Sequence, residues 1–423
     1  MSTERDLDVV VFGASGVTGR RVAAYLAERT PETGASWAAA ARNTDKLARE
    51  LDEEGVTAPE TIVADLNDPD SLASMAARAR VVLNLVGPYT IYGRPVVEAC
   101  VTNGAHYADL TGEIPFVREI LHAFDRRAID AGVKLVQVCG FESLPPDLAM
   151  TLAAEAARER WEDDLAEVEL ELTVRRPPGM PRPSDLISGG TFQSMAEAAG
   201  GEDPSCLTDP AALVADPAVA EEIRRVSPIS VKPRRGARGA VIAPMQPAAF
   251  INPAVIHRSA ALAAAGANRP AKPFRYREGV AIGGGVASLP FRYAAAGTLG
   301  GVQAALGAGT RAGPGTRRRV AGAMRKLLPS SGFGPAADRL DGWSWRIRVD
   351  GRSHGGNRVT VEADAEGHPG YLATARMLGE AGLLLAEDGA TPDRAGHLTP
   401  ATALGTDGVG RFERARLRFH VAA

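Results

Sequence analysis

A glycine-rich stretch near the start of the chain constrains the fold more than any other feature. Val9–Phe12 is a run of four apolar residues, and Gly13, Gly16 and Gly19 follow it at three-residue spacing. A helix-like run begins directly afterwards. This order is typical of a dinucleotide-binding strand–helix unit, in which the glycines permit a tight turn, close approach of a pyrophosphate and close helix packing. An ordinary strand–helix turn is the alternative.

Apolar runs alternate with helix-like stretches over the first 150 residues. The runs are Asp8–Phe12, Ser36–Ala41, Thr61–Ala64, Val81–Val86, His106–Leu110 and Val133–Val138. Short apolar runs between helices predict a parallel sheet covered on both faces. Short right-handed crossovers make such a sheet doubly wound. We therefore predict an α/β fold with a Rossmann-type doubly wound parallel sheet as a dinucleotide-binding domain over residues 1–148.

The pattern changes in the second part of the chain. Leu165–Arg176 alternates apolar and polar residues with period two, and residues 344–365 do so again as a hairpin pair. We predict a second α+β domain with a mixed or antiparallel sheet over residues 149–367. His368–Asp388 predicts a long amphipathic helix. We expect residues 368–423 to pack back near the first domain as a helix and a tail.

The glycine turn indicates where a dinucleotide would bind. A helix N-terminus offers free N–H groups and partial positive charge to phosphates, and two hydroxyls can add hydrogen bonds. The predicted phosphate-binding residues are Gly13, Ser15, Gly16, Val17, Thr18 and Gly19.

The end of the second strand indicates which dinucleotide binds. NAD enzymes usually place Asp or Glu there, whereas this chain has Arg42 and Asn43, with Lys46 close behind. A guanidinium matches the oxygens of a 2′-phosphate. We therefore predict NADP(H), with Arg42, Asn43 and Lys46 as ligands; a solvated loop arginine is the alternative. Asp45 is expected to cap the following helix.

The third and fourth strands end in further candidate contacts. Asp65 is predicted either to lie near the adenine or to form a turn or helix cap. Val86, Gly87 and Pro88 end the fourth strand at the carboxyl edge of the sheet, where open α/β sheets bind ligands. All four are predicted cofactor contacts.

Several strings resemble one family. GASGVTGR, AARNTDKL, NLVGPYTIYGRPVVEACVTNGAHYADLTGE and CGFESLPPD resemble the saccharopine dehydrogenase-like oxidoreductases, and among them the trans-acting enoyl reductases associated with lipid and polyketide assembly. ISGGTFQSM (Ile187–Met195), GYLATARMLGEAGLLLAED and HLTPATALG extend the match. The resemblance implies a Rossmann domain that binds NADPH as hydride donor. It also implies an inserted domain with a mixed sheet over residues 149–367, for substrate binding and dimerisation, and a homodimer.

The function that follows is reduction of an enoyl or carbonyl group on a lipophilic acyl or polyketide-type substrate. A non-catalytic or regulatory NADP-binding protein and a saccharopine-type amino-acid dehydrogenase are the alternatives. Tyrosines after the fourth and fifth strands can donate a proton or hydrogen-bond a carbonyl oxygen. The candidate catalytic residues are Tyr89, Tyr107 and Glu113; for Glu113, capping of the next helix is the alternative.

Composition indicates the cellular compartment. Three cysteines in 423 residues argue against a disulfide framework and fit a reducing cytosol. The first residues contain no apolar run, so we expect no signal peptide. The scattered histidines and the absence of CxxC or HExxH give no metal site. We expect a cytoplasmic protein with no nucleic-acid partner; a peripheral position at a membrane is the alternative.

Residues 224–326 are strongly basic. They contain eighteen Lys or Arg and one acid, Glu278, in a chain of formal net charge −3. Within them, Tyr293–Thr310 is uncharged and rich in Gly and Ala; its length permits a membrane span, but its composition argues against one. The flanking bases fit an anionic membrane surface or an acyl-carrier protein. A buried dimer helix is the alternative. These bases are Arg292, Arg311, Arg317, Arg318 and Arg319.

Overall fold

A computed structural model describes most of the chain. The described residues are 5–179, 204–236, 238–245, 248–309, 311–313, 315, 316, 319, 322 and 339–422. The predicted motif Ile187–Met195 and the bases Arg317 and Arg318 lie outside the described residues.

The described chain contains two seven-stranded sheets. The strands are β1 (Leu7–Phe12), β2 (Trp37–Ala41), β3 (Thr61–Val63), β4 (Ala79–Asn84), β5 (His106–Asp109), β6 (Lys134–Val136), β7 (Leu165–Arg175), β8 (Arg234–Arg235), β9 (Val241–Ala243), β10 (Arg275–Ile282), β11 (Ser344–Ser353), β12 (Arg358–Glu366), β13 (Gly396–Leu398) and β14 (Leu417–Val421). The α-helices are α1 (Gly19–Thr33), α2 (Thr44–Glu53), α3 (Pro69–Arg78), α4 (Tyr89–Asn103), α5 (Ile114–Asp130), α6 (Leu144–Trp161), α7 (Pro217–Val226), α8 (Asn252–Gly266), α9 (Leu289–Gly309), α10 (Thr374–Ala386) and α11 (Pro400–Leu404).

The first sheet has the predicted doubly wound topology. Its strand order is β13-β6-β5-β4-β1-β2-β3, and every pairing is parallel. Val9, Val10 and Val11 are fully buried, because helices cover both faces and alternate side chains along β1 therefore both enter apolar cores. The order of the strands reverses between β1 and β4, and open sheets of this kind bind ligands at that point.

The second sheet is mixed. Its order is β14-β12-β11-β7-β10-β9-β8; β7 runs parallel to β10, and the other pairs are antiparallel. The predicted alternating strand is β7 and the predicted hairpin is β11–β12. Helix α6 packs on β11 and β12, which buries alternate residues such as Ile347 and Val349. Charged side chains cover the opposite face.

The C-terminal residues belong to both sheets. Helix α10 packs on β1, β4 and α1, as expected. It is not amphipathic, however, because every residue except Arg376 is buried. Beyond it, β13 adds a parallel strand beside β6, and β14 adds an antiparallel strand beside β12. The segment predicted as a helix and a tail therefore also completes both sheets.

Candidate active site

The glycine turn follows β1 at the point where the strand order reverses. Gly13 has φ +88°, and a Cβ there would lie 2.8 Å from Cγ2 of Val86 in the loop after β4. A Cβ at Gly19 would lie 2.2 Å from the Gly13 carbonyl oxygen. Both glycines are therefore required by the packing of the turn. A Cβ at Gly16 would meet only the Gly13 oxygen, at 3.3 Å. The packing of the turn therefore does not require this exposed glycine, and the missing side chain leaves open space beside the turn.

The turn presents backbone donors without acceptors. The N–H groups of Ser15, Val17 and Thr18 form no hydrogen bond to any described residue. The first turn of α1 contains no acidic residue, and the Thr18 side chain makes no capping bond. Free N–H groups at a helix N-terminus with no competing carboxylate form a site for an anion such as a pyrophosphate.

The end of β2 presents two exposed cations. The side chains of Arg42 and Lys46 have no hydrogen bond or ion pair to any part of the chain that the structure describes. Asn43 caps α2, since its Oδ1 accepts the Lys46 backbone N–H at 2.8 Å. The expectation that Asp45 caps this helix is wrong, because Asp45 lies inside its first turn. The Asn43 carbonyl oxygen is thus already used, whereas both cations remain available for a phosphate.

Asp65 forms the turn that was one of its two predicted roles. Its Oδ1 accepts the backbone N–H of Asn67 at 2.9 Å and the Asn67 side-chain amide at 3.1 Å. Asp68 caps α3. A contact between Asp65 and an adenine stays a prediction.

The three predicted catalytic residues meet in one buried polar network below the carboxyl edge of the sheet. The Tyr89 hydroxyl donates to the Asn84 carbonyl oxygen at 3.1 Å. The Tyr107 hydroxyl donates to Asp109 Oδ2 at 2.8 Å and accepts from the Asn84 side chain at 3.1 Å. The Glu113 carboxylate accepts the backbone N–H of Tyr89 at 2.9 Å.

This network holds the three residues in internal contacts. Tyr89 is 7% exposed and Tyr107 fully buried, and burial, followed by the charge of Asp109, raises the pKa of each hydroxyl well above its usual value. Glu113 stands at the start of α5 but caps α4, so the expected capping of its own helix is wrong. The geometry favours positioning roles for the three; direct contact with a substrate stays a prediction.

A second polar chain joins the carboxyl edge to the second sheet. Ser143, just before α6, donates to Oδ1 of Asn252 at 2.7 Å, and Nδ2 of Asn252 donates to Oε2 of Glu278 at 2.8 Å. The Tyr276 hydroxyl donates to the same oxygen at 2.8 Å. Burial raises the pKa of Glu278 to about 7 against these hydrogen bonds, which lower it.

Known proteins match this chain along nearly its whole length. Residues 9–136 match the family description "Saccharopine dehydrogenase NADP binding domain". A Mycobacterium tuberculosis protein named "Putative trans-acting enoyl reductase" is 35% identical over 96% of this chain and 94% of its own length. A Mycobacterium ulcerans protein named "Trans-acting enoyl reductase" is 31% identical over 96% and 95%.

The chain belongs to the saccharopine dehydrogenase-like oxidoreductases. Apo saccharopine dehydrogenase (L-Glu forming) from Saccharomyces cerevisiae superposes with a TM-score of 0.52 at 12% identity, over 98% of this chain and 99% of the yeast chain. At that identity the likeness shows the fold alone, which confirms the predicted α/β architecture with a second α+β domain.

As a saccharopine dehydrogenase-like protein, the chain carries an NADP-binding domain and is an NADP-dependent oxidoreductase. The described residues fit this cofactor. The unbonded N–H groups of the glycine turn suit its pyrophosphate, and Arg42 and Lys46 suit its 2′-phosphate. Val86, Gly87 and Pro88 follow β4 beside Gly13, at the reversal of the strand order. The contacts of the individual residues with NADP(H) stay predictions.

Sequence reasoning missed the residues that connect the two parts of this saccharopine dehydrogenase-like protein. Asn252 lies 109 positions from Ser143 and 26 from Glu278, so no local pattern joins them. Glu278 carried one signal, as the only acid in a long basic segment. Asp109 ends β5, and burial raises its pKa to about 6 against hydrogen bonds from Thr111 and Tyr107.

Proposed function

We propose that this protein reduces the conjugated carbon–carbon double bond of a lipophilic enoyl substrate with NADPH. The observation that carries the proposal is the extent of similarity to relatives named trans-acting enoyl reductase, which covers 96% of the chain and so includes the second sheet. When bound, NADPH supplies the hydride. The protein must hold the acceptor beside it, polarise its carbonyl group and provide a proton.

An exposed apolar surface adjoins the predicted nicotinamide position. Ile91 and Tyr92, in the first turn of α4, are 50% and 40% exposed. They lie three and four residues after Pro88, which ends the loop beside the glycine turn. Large apolar side chains at this place support a lipophilic rather than a multiply charged substrate.

Glu142 is our candidate for the proton donor. It lies in the loop between β6 and α6, at the carboxyl edge, and its Oε2 is 3.2 Å from the place that a Cβ of Gly140 would take. Burial raises the pKa of Glu142, so it keeps its proton to higher pH than an exposed glutamate. Unlike Glu113, it does not cap a neighbouring helix within the described structure.

The test follows NADPH oxidation with three acceptors: a long-chain 2-enoyl thioester, a 3-oxoacyl thioester, and glutamate with an aldehyde. We expect turnover with the enoyl thioester and formation of the saturated acyl product. Tight NADPH binding without turnover on any acceptor would instead favour a non-catalytic NADP-binding protein. Turnover with glutamate and the aldehyde alone would favour a saccharopine-type dehydrogenase.

Three variants assign the roles once an acceptor is found. Glu142→Gln should lower kcat by roughly 10²-fold or more while NADPH affinity is kept. Glu98→Gln, on the exposed side of α4, is the matched control and should behave as the unmodified protein. Tyr89→Phe should lower stability more than kcat, because its hydroxyl bonds the Asn84 carbonyl. A large loss of kcat in Tyr89→Phe with unchanged kcat in Glu142→Gln would return the donor role to Tyr89.

A further inference from the structure

Helix α9 and the turn before it expose large apolar side chains. Val286 is 87% exposed, Phe291 80%, Val302 49% and Tyr293 38%. Val286 stands in a short 3-10 turn that follows three consecutive glycines, Gly283–Gly285, and Phe291 stands in the first turn of α9. Exposed apolar side chains clustered in one short stretch mark an interaction surface more often than scattered ones do.

The orientation of α9 is the reverse of that in an ordinary surface helix. Its single charged residue, Arg292, is 6% exposed, and Gln303 is 1% exposed. The Arg292 guanidinium donates to the carbonyl oxygens of Ile282 at 3.2 Å and Gly285 at 3.3 Å. Arg292 and Gln303 therefore point into the protein, and the outward face of α9 carries no charge. In a water-facing helix the polar residues lie on the outside.

Small residues allow α9 to pack closely on the chain just before strand β8. A Cβ at Gly300 would lie 2.5 Å from the Val231 carbonyl oxygen, so the helix touches backbone there. The buried positions are Arg292, Ala296, Gly300, Gln303 and Gly307, which form one stripe along the helix. This packed stripe fixes the orientation of the helix, so the same apolar face is always turned outward.

Exposed bases adjoin α9. Lys232 is exposed directly after Val231, and Arg311 is exposed just beyond the end of α9. Arg238 is half exposed and lies 3.8 Å from Glu171, a longer distance than a hydrogen-bonded ion pair. Glu278, the single acid among residues 224–326, is 8% exposed and belongs to the polar chain with Asn252. The exposed charged residues that directly adjoin α9, Lys232 and Arg311, are therefore both basic.

We infer that α9 and the turn Val286–Ser288 form a docking surface for an anionic lipid membrane, with Val286 and Phe291 inserted among the lipids and Lys232 and Arg311 near the headgroups. Apolar insertion combined with attraction of bases to anionic lipid is the usual mode of peripheral membrane binding. Within the described part of the chain, no helix is long and apolar enough to cross a membrane.

Charge distinguishes a lipid surface from a second copy of the chain. A two-fold symmetric contact places the same patch against itself. Lys232 and Arg311 would then approach bases of the other copy, whereas an anionic membrane neutralises them. The inference is independent of the proposed reaction, because it rests on residues outside the candidate active site.

Flotation with vesicles tests the inference on the full chain. One set of vesicles contains phosphatidylcholine alone, and the other also contains phosphatidylglycerol, each at low and high salt. We expect binding to the mixed vesicles at low salt and release at high salt, since salt screens the attraction of the bases. Absence of binding to mixed vesicles at low salt, or equal binding to both kinds of vesicle, would overturn the inference.

Paired variants locate the surface. Val286→Ser with Phe291→Ser should weaken binding to mixed vesicles by roughly tenfold or more, and Lys232→Glu with Arg311→Glu by a similar factor. Ile129→Ser and Arg126→Glu, exposed residues on α5, are the matched controls and should bind as the unmodified chain does. All variants should keep NADPH binding, which verifies their fold.

Two further results would decide against lipid. If the Val286 and Phe291 variant binds vesicles normally, the face does not contact them. If sedimentation without lipid shows a dimer that this variant converts to a monomer, the face is an interface between copies of the chain.

Discussion

The carboxyl edge of the first sheet and the outer face of the second sheet differ in whether their charged side chains are paired. At the carboxyl edge of the first sheet, Arg42 and Lys46 have no partner in the described structure. On the outer face of the second sheet, Arg348 donates to Asp350 and to Glu362, both at 2.8 Å, and Arg346 donates to Asp364 at 2.6 Å. Charges that are paired within the protein stabilise the sheet, whereas unpaired cations at a strand end are free to bind a ligand. The comparison therefore separates structural charges from functional ones.

The largest expected effect concerns the glycines of the first sheet. Gly16→Val should abolish binding of NADPH and NADH, because its side chain would occupy the place of the pyrophosphate, and should leave the fold intact. Titration of the variant with each cofactor measures this. Gly301→Val, on the exposed face of α9 where a Cβ meets nothing within 4 Å, is the matched control and should leave binding unchanged. Retained NADPH binding in Gly16→Val would refute the pyrophosphate site.

The next prediction contrasts buried and surface carboxyls. The pKa of Glu278 is raised to about 7 from an ordinary value of 4.5. The folded protein therefore keeps a proton that the unfolded chain releases, and this group's contribution to stability is lost as pH rises from about 4.5 to about 7, on the order of 3 kcal/mol. Chemical denaturation of Glu278→Gln should show a smaller decline over that window than the unmodified protein.

The pKa of Asp350 is shifted in the opposite direction to that of Glu278, so Asp350 serves as the comparison. Burial raises its pKa, but hydrogen bonds from Arg348 and Thr360 outweigh burial and lower it overall. Its contribution to stability is present above its ordinary pKa and is lost as pH falls. Identical pH profiles for Glu278→Gln and the unmodified protein would show that Glu278 does not titrate as the buried geometry requires.

Substitution of Arg42 tests whether this unpaired cation binds the 2′-phosphate of NADPH. Arg42→Ala should weaken NADPH binding by about 1.5–3 kcal/mol, the range for a hydrogen bond to a charged group, and hardly affect NADH. Binding calorimetry with both cofactors measures the difference. Arg348→Ala, which removes a paired arginine of the second sheet, should leave both affinities unchanged. Equal weakening of NADPH and NADH in Arg42→Ala would exclude a 2′-phosphate contact.

The smallest expected effect concerns the paired arginine itself. Arg348→Ala should lower the free energy of unfolding by about 0.5–1 kcal/mol, and by less at high salt, because its ion pairs are partly exposed. Denaturant titration at two salt concentrations measures this. Arg352→Ala, on the same strand but without an ion pair in the described structure, should have no such salt-dependent effect.

The first sheet was predictable because its signals are local. Each strand from β1 to β6 is a short apolar run, and the glycine turn follows β1 directly. Strands β13 and β14 were not predicted, because neither is a continuous apolar run and each pairs with a strand distant in the chain. The pairing of β7 with β10 joins residues such as Val168 and Tyr276, which no sequence pattern relates.

The residues of the candidate site were predictable where they directly follow a strand, and not where they depend on contacts between distant elements. The glycines and Arg42 follow their strands directly, so their positions could be inferred. The use of Glu113 as a cap for α4 and of Asn252 as a link to Ser143 depends on contacts between elements distant in the chain. Burial decides the chemistry of Tyr89 and Tyr107, and a sequence gives only the residue type.

The placement of β13 and β14 has a consequence for how the protein folds as it is made. Residues 396–398 supply one edge of the first sheet, and residues 417–421 supply one edge of the second. A ribosome adds these strands after the other strands of each sheet, so β6 and β12 stay at the sheet edges until residues 396–421 have been made. Such edges can pair with other chains, and contacts so distant in sequence form slowly. The nascent protein is therefore prone to aggregation before β13 and β14 are added, and chaperones would have their greatest effect on its yield at that stage.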